Sequence, residues 1–475
     1  MALASMSAEA GSTVFDVTDY GAKADGQSDC TAAIRKAIAG AAEAGGGKIL
    51  IPPAENPYLI SDSIELHAGN LHLVGAGATV YLKDGSAVGR TDAETMLHII
   101  KINGTKDGPI ENVSVAGLTI DANYWGQADG TAAWQASAKI AGVTRGIQVG
   151  HAHKVLIDNV AIKRSFVGMT FGLGSHNCEA RDVKVTQFQH DGFGVTPERV
   201  DGGASNITFL RCLVADSLHG RNGGLPGNRV KGWEIEEGAH TVKVIDCVVR
   251  NTDAHGFFIR PHWSRKGKYD TKNIELIRCR VENAGEAAFM IKGFNHQKRV
   301  MNVKCIDCYS DTGTFQIMIN PDSVLVSGGH FGSMTLGFYL DIADDHHFPD
   351  GPWEWTYDFL PVRSIIVENV TVAGDIRINA SQDNYATNDY TPEISLNKVT
   401  VKSDLYTVGS ANLVKMVDCS IKGTHYLKTP RIIWRILSSL PIRKKRRVDG
   451  RYFGLRFGCG KLENLAATAW GRLWS

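Results

Sequence analysis

A phrase of about ten residues recurs along most of the chain and constrains its fold more than any other feature. Each copy alternates apolar and polar residues and is rich in valine and isoleucine, as in ENVSVAGLTI at 111–120 and HTVKVIDCVV at 240–249. This alternation is typical of a strand with one buried face. Copies return roughly every 25–40 residues, a spacing that indicates a repeat architecture.

Shorter apolar strands lie between these copies. Many open with glycine, which is the second letter of DGFGV, KGWEI and HGFFI. A unit of two or three short strands cannot bury its apolar face alone, but stacked units can. We therefore predict an all-β fold, a right-handed single-stranded parallel β-helix, over residues 15–428. Residues 1–14 are expected to form a flexible tail, and residues 429–475 a basic, aromatic tail.

Cysteines occupy a fixed place in the repeat. Five of the 9 stand at the same position of the recurring phrase: Cys212, Cys247, Cys279, Cys308 and Cys419. This placement predicts a stack of small buried thiols, one in each repeat. Cys305 and Cys308 have the spacing of half a zinc site, but no second pair has it. We therefore expect reduced core cysteines rather than disulfides or metal ligands.

Residues 15–53 carry a longer signature: a strand, then DYGAKADG, then a helical segment, then GGGKILIPP. The helix can cover the open end of a solenoid, where an exposed strand edge invites aggregation, and the glycines at 45–47 can end it. Four residues share the face that would pack inward: Ala33, Ile34, Ala37 and Ile38.

This segment resembles the N-terminal signature of the pectate lyase superfamily, which includes polygalacturonases, uronan lyases, uronan epimerases and phage tailspikes. The resemblance extends over about residues 15–425. It implies a pectin lyase-like β-helix with an N-terminal capping helix, and it is more specific for the fold than for the reaction.

Aligning the short strands on their first residue predicts which side chains are neighbours. Adjacent strands lie about 4.8 Å apart, so residues of equal register stack on successive coils. Just before the strand the alignment places Asp191, Lys231 and His255 on three successive coils. Just after it, the alignment places Glu236, Arg260 and Lys292.

Cationic side chains bordered by aromatic rings suit an anionic sugar chain. Guanidinium groups bind carboxylates in bidentate fashion, and aromatic faces pack on sugar rings. We therefore predict a uronic-acid-containing polysaccharide as the partner. The predicted substrate contacts are His190, Lys231, Trp233, Trp263, Tyr269, Glu286, Trp125 and Trp134. The last two belong to an inserted segment at 121–142, which either contacts sugar or packs on the solenoid wall.

β-Elimination is the reaction that these groups predict first. A base removes the C5 proton of a uronate while a cation neutralises the carboxylate, and an acid protonates the leaving oxygen. Either His255 or His262 is the expected base, because imidazole titrates near neutrality; Arg260 and Lys292 are the expected cations. The catalytic candidates are Asp191, Glu236, His255, Arg260, His262 and Lys292.

Hydrolysis is the first alternative, since it needs paired carboxylates, about 5–5.5 Å apart for retention and about 6.5–9.5 Å for inversion. The letters NTD at 251–253 and HG at 255–256 resemble polygalacturonase motifs, but that family's Asp-Asp pair is missing between them. The acids available for hydrolysis are Asp191, Glu234, Glu236, Asp253 and Glu286. C5 epimerisation shares the first step of elimination. A glycan-binding module of tailspike type needs no reaction.

Ordinary structural roles stand beside these assignments. Asp253 is a common turn residue, and His255 alone can be a half-buried structural histidine. A pair between Glu236 and Arg260 at the surface contributes under about 1 kcal/mol. The assignment therefore depends on the whole set of groups lying together.

No cofactor or metal site is predicted. The resemblance allows Ca²⁺, but no dedicated ligand loop is visible. The net charge is +1, so no overall field favours nucleic acid. Nothing in the sequence demands a homo-oligomer, although β-helices of this kind include trimers.

The basic tail contains RIIWRIL followed by RKKRR. This pattern is compatible with contact to an anionic membrane surface and with packing on the last coil or on a partner subunit. No apolar segment of signal-peptide type opens the sequence, so the compartment stays open. The predicted substrate class favours a secreted or cell-surface location.

Overall fold

The computed structural model describes residues 13–90, 96–127, 143–196, 203–218, 230–261, 270–293, 299–318, 321–337, 364–380, 393–409, 413–427, 442–443 and 453–457. In these parts the chain winds as a right-handed parallel β-helix whose coils visit three faces in turn, so the predicted fold class is confirmed. Every strand pair within the solenoid is parallel.

Face 1 is a sheet of 14 strands in chain order. Its strands are Val14–Asp16, Gly47–Leu50, Leu71–Val74, Ile110–Ala116, Ala152–Asp158, His176–Arg181, Ser205–Leu210, His240–Ile245, Thr271–Ile277, Val300–Ile306, Ser323–Ser327, Ser364–Glu368, Glu393–Asn397 and Leu413–Val417. These are the recurring phrases of the sequence.

Faces 2 and 3 are joined by two long strands that turn the corner between them, Ala161–Phe171 and Lys184–Val195. The other strands of face 2 are Tyr58–Ile60, Thr79–Leu82, Thr119–Asp121, Leu213–Ala215, Val248–Thr252, Arg280–Ala284, Tyr309–Ser310, His330–Phe331, Thr371–Val372, Thr400–Val401 and Ser420–Ile421. Those of face 3 are Ile64–Leu66, Leu97–Asn103, Thr144–Gly150, Lys231–Ile235, His255–Ile259, Ala287–Lys292, Thr314–Met318, Ser333–Gly337, Ile376–Ala380, Leu405–Gly409 and His425–Leu427.

The α-helix Thr31–Glu43 packs against the first strands, as predicted for a capping helix. Its buried residues include the four of the predicted face, Ala33, Ile34, Ala37 and Ile38. The helix ends where Gly45 takes a positive φ of 83° and the N–H of Gly46 donates to the carbonyl of Ala41 at 2.9 Å. Glycine reaches this left-handed conformation without steric penalty. Two short 3₁₀ helices, Val17–Tyr20 and Tyr124–Gln127, complete the helical elements described.

A column of glycines forms the corner where the chain enters face 3. It comprises Gly146, Gly168, Gly192, Gly232 and Gly256. A Cβ on Gly232 would lie 2.7 Å from the Gly256 carbonyl oxygen and 2.7 Å from both methyl groups of Val249. Glycine therefore opens these strands because the corner brings backbone and a β-branched side chain too close for any other residue. On the central coils the residues before these glycines are ionisable and buried: Asp191, Lys231 and His255.

The core of the central coils contains a stack of aromatic rings. Trp233 lies between Phe193 and Phe257, with ring centroids 4.6 and 4.9 Å away, and Phe289 continues the stack 5.3 Å beyond Phe257. Buried ring stacks of this kind add to the stability that area burial supplies. They hold the coils of the candidate site in register.

The predicted column of buried cysteines is confirmed. Cys212, Cys247, Cys279 and Cys308 are buried free thiols, and Cys419 is a half-buried one. The N–H of Cys212 donates to the sulfur of Cys247 on the next coil at 3.3 Å. These thiols pack the solenoid interior.

At the far end, strand Phe453–Phe457 pairs antiparallel with the last solenoid strand, His425–Leu427, and with Ile442–Arg443. Part of the C-terminal tail thus lies along the edge of the final coil. Among the residues described, no helix has the length and apolar character needed to cross a membrane.

Candidate active site

The predicted neighbours on face 3 are neighbours in the structure. Asp191 pairs in register with Lys231, and Lys231 pairs with His255, so the three residues before the glycine column stand on successive coils. Glu236 and Arg260 follow the same two strands and come together, with Arg260 Nε 3.2 Å from Glu236 Oε2. Parallel stacking, not proximity in the chain, assembles this cluster.

A continuous chain of ion pairs runs across three coils. Lys231 Nζ lies 3.0 Å from Glu234 Oε1 and 3.5 Å from Asp191 Oδ1. Arg260 approaches the same Glu234 oxygen at 2.8 Å, and its Nε donates to that oxygen at 3.0 Å. Asp191, Lys231, Glu234 and Glu236 are all buried. Charges buried at such a depth are retained only when partners compensate them.

His190 joins the chain of ion pairs at its solvent-facing end. Its Nδ1 lies 2.7 Å from Asp191 Oδ2, and its side chain keeps 22% of its surface exposed. Since a carboxylate accepts, Nδ1 carries the proton of this hydrogen bond. The Phe166 ring lies 5.2 Å from the imidazole and limits its movement on one side. This pair has the form of a carboxylate-oriented base.

Phe258 lies beneath the two cations. The Arg260 guanidinium lies 5.0 Å and Lys231 Nζ 5.9 Å from its ring centroid, and the His255 ring lies 5.1 Å away. Phe257 and Ile259 on either side of Phe258 point into the core. Cations over an aromatic face are stabilised by the ring's electron density.

Opposite charges keep the central groups ionised in spite of burial. Burial raises the pKa of Asp191, but His190 and Lys231 outweigh it and hold that pKa well below its usual range. Burial lowers the pKa of Lys231, but the negative charges of Asp191 and Glu234 outweigh this effect, so the pKa of Lys231 is raised overall. The central pair is therefore a carboxylate and an ammonium at neutral pH.

Glu236 behaves in the opposite way. Burial, and then the neighbouring negative charge of Glu234, raise the pKa of Glu236 to about 8, and Arg260 only partly offsets them. Glu236 is thus a neutral carboxylic acid at pH 7. Carboxyl groups whose environments push their pKa values apart can act as acid and base in one site.

Three side chains of the site have the donor atoms of a metal centre. One ligand atom each from His190, Asp191 and Glu234 lies within 4.8 Å of the other two. The ammonium of Lys231, however, already contacts both carboxylates. A positive side chain thus stands where a cation would bind.

His255 and Lys292 lie at the side of this cluster toward the C-terminus. His255 is buried, with Nε2 3.7 Å from Glu286 Oε2. Lys292 ends the strand whose Ile291 pairs with Ile259, so it follows Arg260 on the next coil. The predicted order of these positions is therefore found in the structure, while their chemical roles stay predictions.

The prediction that Trp233 borders the groove is wrong. Its ring is fully buried in the core stack, between Phe193 and Phe257, because the side chain that follows Gly232 points into the core. Trp125 is half exposed in the 3₁₀ helix Tyr124–Gln127, with its ring edge-on to Tyr124. That helix belongs to the coil of strand Thr144–Gly150, two coils before Asp191.

One catalytic candidate, His262, and three predicted substrate contacts lie outside the described residues; the contacts are Trp263, Tyr269 and Trp134. The letters NTD at 251–253 belong to a turn network. Asn251 has a positive φ of 52° and donates to Asp216 at 2.7 Å, and Asn283 donates to Asn251 at 2.9 Å. This ladder supports the structural interpretation of the NTD segment over the catalytic one.

Sequence reasoning placed His190 among the substrate contacts and left Glu234 among the acids for hydrolysis only. It also missed Arg145 and Gln148, which lie two coils before Asp191. They occupy the register positions of Lys231 and Glu234, and Arg145 donates to Gln148. The letters RGIQV carried the signal, since Arg145 precedes Gly146 as Lys231 precedes Gly232. Extending the column to that coil would have found it.

Comparison with known proteins agrees with this architecture. A family model described as rhamnogalacturonase A/epimerase, pectate lyase-like, matches residues 14–240. The mannuronan C-5 epimerase AlgE6 A-module of Azotobacter vinelandii superposes with a TM-score of 0.54 at 17% identity, covering 90% of this chain and all of that one. Residues 14–240 are thus similar to a pectate lyase-like family. The AlgE4 A-module of the same organism gives 0.53 at 16% identity, covering 89% and 99% of the two chains.

Two curated proteins are similar in sequence to this chain over shorter stretches. Alginate lyase 7 of Azotobacter vinelandii is 36% identical over 118 residues, 23% of this chain and 13% of its own length. Mannuronan C5-epimerase AlgE6 of that organism is 31% identical over 225 residues, 44% of this chain and 22% of its own length. The matched part is thus less than a quarter of either relative.

Proposed function

We propose that this pectate lyase-like protein cleaves an acidic, uronic-acid-containing polysaccharide by β-elimination on face 3. One observation carries the proposal: an oriented base and a neutral acid stand on consecutive coils and are joined through cations. The base is His190, which Asp191 holds, and the acid is Glu236, which contacts Arg260. The similarity to an alginate lyase and a mannuronan C5-epimerase adds support for an acidic polysaccharide.

Substrate binding begins at the partly exposed Arg260, whose side chain keeps 24% of its surface exposed. In this proposal its guanidinium binds the uronate carboxylate, and Lys231 beneath it adds positive charge. Neutralising the carboxylate acidifies the C5–H bond, because the negative charge that develops at C5 spreads onto the carboxylate. A neutral Glu236 favours this step, since an uncharged carboxyl group competes less with the substrate carboxylate for the Arg260 guanidinium.

His190 Nε2 then accepts the C5 proton, while Asp191 holds the ring and stabilises the imidazolium that forms. The C4–O bond breaks as the C4=C5 double bond forms, and Glu236 protonates the departing glycosidic oxygen. The base differs from the one predicted from sequence: His190 lies at the solvent-facing rim and is held by a carboxylate, whereas His255 is buried beside Glu286.

Two alternatives have an observation in their favour. Hydrolysis is favoured by carboxyl groups with opposed pKa shifts, Glu236 raised and Asp191 lowered, which is the pattern of an acid–base pair. C5 epimerisation is favoured by the relative named a mannuronan C5-epimerase; it would use the same proton abstraction and return a proton to the opposite face of the sugar.

One assay separates these reactions. The purified protein is incubated in D₂O with alginate, with polygalacturonate and with a neutral glucan, and near-ultraviolet absorbance, reducing ends and deuterium at C5 are followed. Elimination gives absorbance and chain ends together; hydrolysis gives chain ends alone; epimerisation gives deuterium in chains of unchanged length. Retardation of the polymer on a gel with no chemical change would indicate a binding module and overturn the proposal.

Variants connect the activity to the site. His190→Gln and Glu236→Gln should each lower turnover by about 10²–10⁴-fold, the usual contribution of a general base or acid. His330→Gln is the matched control, since His330 faces outward on face 2 and stacks on Tyr309 at 5.6 Å. Equal turnover in all three variants would show that the active site does not lie at His190 and Glu236 on face 3.

A further inference from the structure

A second cluster of ionisable side chains lies on face 1, on another side of the solenoid from the candidate active site. One column of this sheet carries polar residues in register on six successive coils: Glu111, His153, His176, Ser205, His240 and Lys272. Within it, two histidines occupy adjacent coils. Nothing in the proposed elimination uses them.

The two imidazoles of this column are close neighbours. The ring centroids of His153 and His176 lie 5.1 Å apart with the planes tilted by 54°. Both side chains are half-buried, and that of His153 keeps 26% of its surface exposed. Because both strands are hydrogen-bonded into the sheet, the backbone fixes the spacing of the two Cβ atoms.

Both rings engage a partner through the same nitrogen. His153 Nδ1 lies 3.5 Å from Glu111 Oε1, and His176 Nδ1 lies 2.6 Å from Ser205 Oγ. A carboxylate only accepts, so Nδ1 of His153 carries the proton and Nε2 carries the lone pair. The Ser205 hydroxyl can accept from His176 in the same way, which would leave Nε2 of His176 with its lone pair. Metal-binding histidines characteristically hold their second nitrogen in such a bond, which fixes the tautomer and increases the basicity of the ligand atom.

The charges around the pair are compatible with cation binding. Lys154 Nζ lies 2.9 Å from Glu111 Oε2, so the Glu111 carboxylate is held between Lys154 and His153. No cationic side chain is paired in register with either histidine in this column, since the neighbours of the pair are Glu111 and Ser205.

We propose that His153 and His176 bind a divalent d-block cation through their Nε2 atoms, bridging two adjacent coils of face 1. Imidazole ligands favour Cu²⁺, Ni²⁺ and Zn²⁺ over Ca²⁺ and Mg²⁺. Glu111 is engaged by His153 and Lys154, so two imidazoles are the protein ligands and water completes the coordination. The bound ion crosslinks strands Ala152–Asp158 and His176–Arg181 and thereby stabilises the solenoid.

The experiment is a titration of the metal-free full-length protein with Ni²⁺ or Cu²⁺, followed by calorimetry and, for Cu²⁺, by electron paramagnetic resonance. Binding of one ion with imidazole nitrogen coordination and a rise in the midpoint of thermal unfolding are expected. His176→Asn should weaken this binding at least tenfold and abolish the thermal shift. His153→Asn should do the same, which covers the case in which one variant does not fold.

His240→Asn is the matched control. His240 stands in the same column, but its neighbours there are Ser205 and Lys272 rather than another histidine. This variant should bind metal as the unmodified protein does, and so should His190→Gln, which alters the donor cluster of face 3. Loss of the signal in either control, or its survival in both His153→Asn and His176→Asn, overturns the proposal.

Discussion

Asp191 and Lys231 face each other on neighbouring coils of face 3, with Oδ1 and Nζ 3.5 Å apart. Asp191 also holds His190, and Lys231 also holds Glu234. One ion pair therefore connects the proposed base to the cations that would receive the substrate carboxylate. Removing either partner leaves a buried charge uncompensated, which is expensive in a region of low dielectric constant.

The first prediction concerns Asp191→Asn. The amide no longer attracts the imidazolium that His190 would form, so turnover should fall by about 10²–10³-fold with a smaller change in KM. Steady-state kinetics on the polyuronate that the enzyme cleaves gives both values. A purely structural role would instead lower thermal stability and leave the pH profile of the remaining active protein unchanged. A downward displacement of the acidic limb of that profile distinguishes the positioning role.

The second prediction is a pH dependence of stability. Glu236 has a pKa of about 8 in the folded protein against an ordinary value of 4.5. The folded state therefore holds a proton that the unfolded state releases, so this contribution is complete below pH 4.5 and is lost as pH rises through 8. The free energy of unfolding of the unmodified protein should fall between those values relative to Glu236→Gln. Denaturant titrations of both proteins at several pH values measure it; parallel curves would contradict it.

The third prediction concerns metal at the candidate active site. Because Lys231 contacts Asp191 and Glu234, activity should survive EDTA, and Lys231→Met should open His190, Asp191 and Glu234 to a divalent ion. Calorimetry with Zn²⁺, performed in a His176→Asn background to silence face 1, should show binding only after the lysine is removed. Activity that EDTA abolishes and Ca²⁺ restores would show that this interpretation is wrong.

The fourth prediction tests the glycine corner. Gly232→Ala places a Cβ 2.7 Å from the Gly256 carbonyl oxygen and from the methyl groups of Val249, and overpacking of this kind costs about 1–3 kcal/mol. Ala288 occupies the same column one coil beyond Gly256 and already carries a Cβ. Ala288→Gly is therefore the matched control, with an expected loss of only about 0.5–1 kcal/mol. Equal losses in denaturant unfolding would contradict the steric explanation.

Much of the candidate site could be predicted because the fold is periodic. Once Gly192, Gly232 and Gly256 are aligned, the residues before them must stack, and the structure places Asp191, Lys231 and His255 in that order. The sequence alone did not predict which side chains beyond the corner point inward and which point outward. Lys231 and Trp233 stand two positions apart, yet Lys231 lies in the ion-pair chain and Trp233 in the core. A glycine corner interrupts the strand alternation, so simple counting from the strand start fails there.

The sequence by itself determined the solenoid, its capping helix, the core cysteines and the coils on which the ionisable groups stand. Those features follow from local alternation and from a repeat that returns at a regular spacing, both of which can be read from a single chain. Only the tertiary structure decided that Glu236 is neutral while Asp191 is ionised, and that His190 rather than His255 lies at the rim. Those properties depend on burial and on charges contributed by other coils, which no single repeat contains.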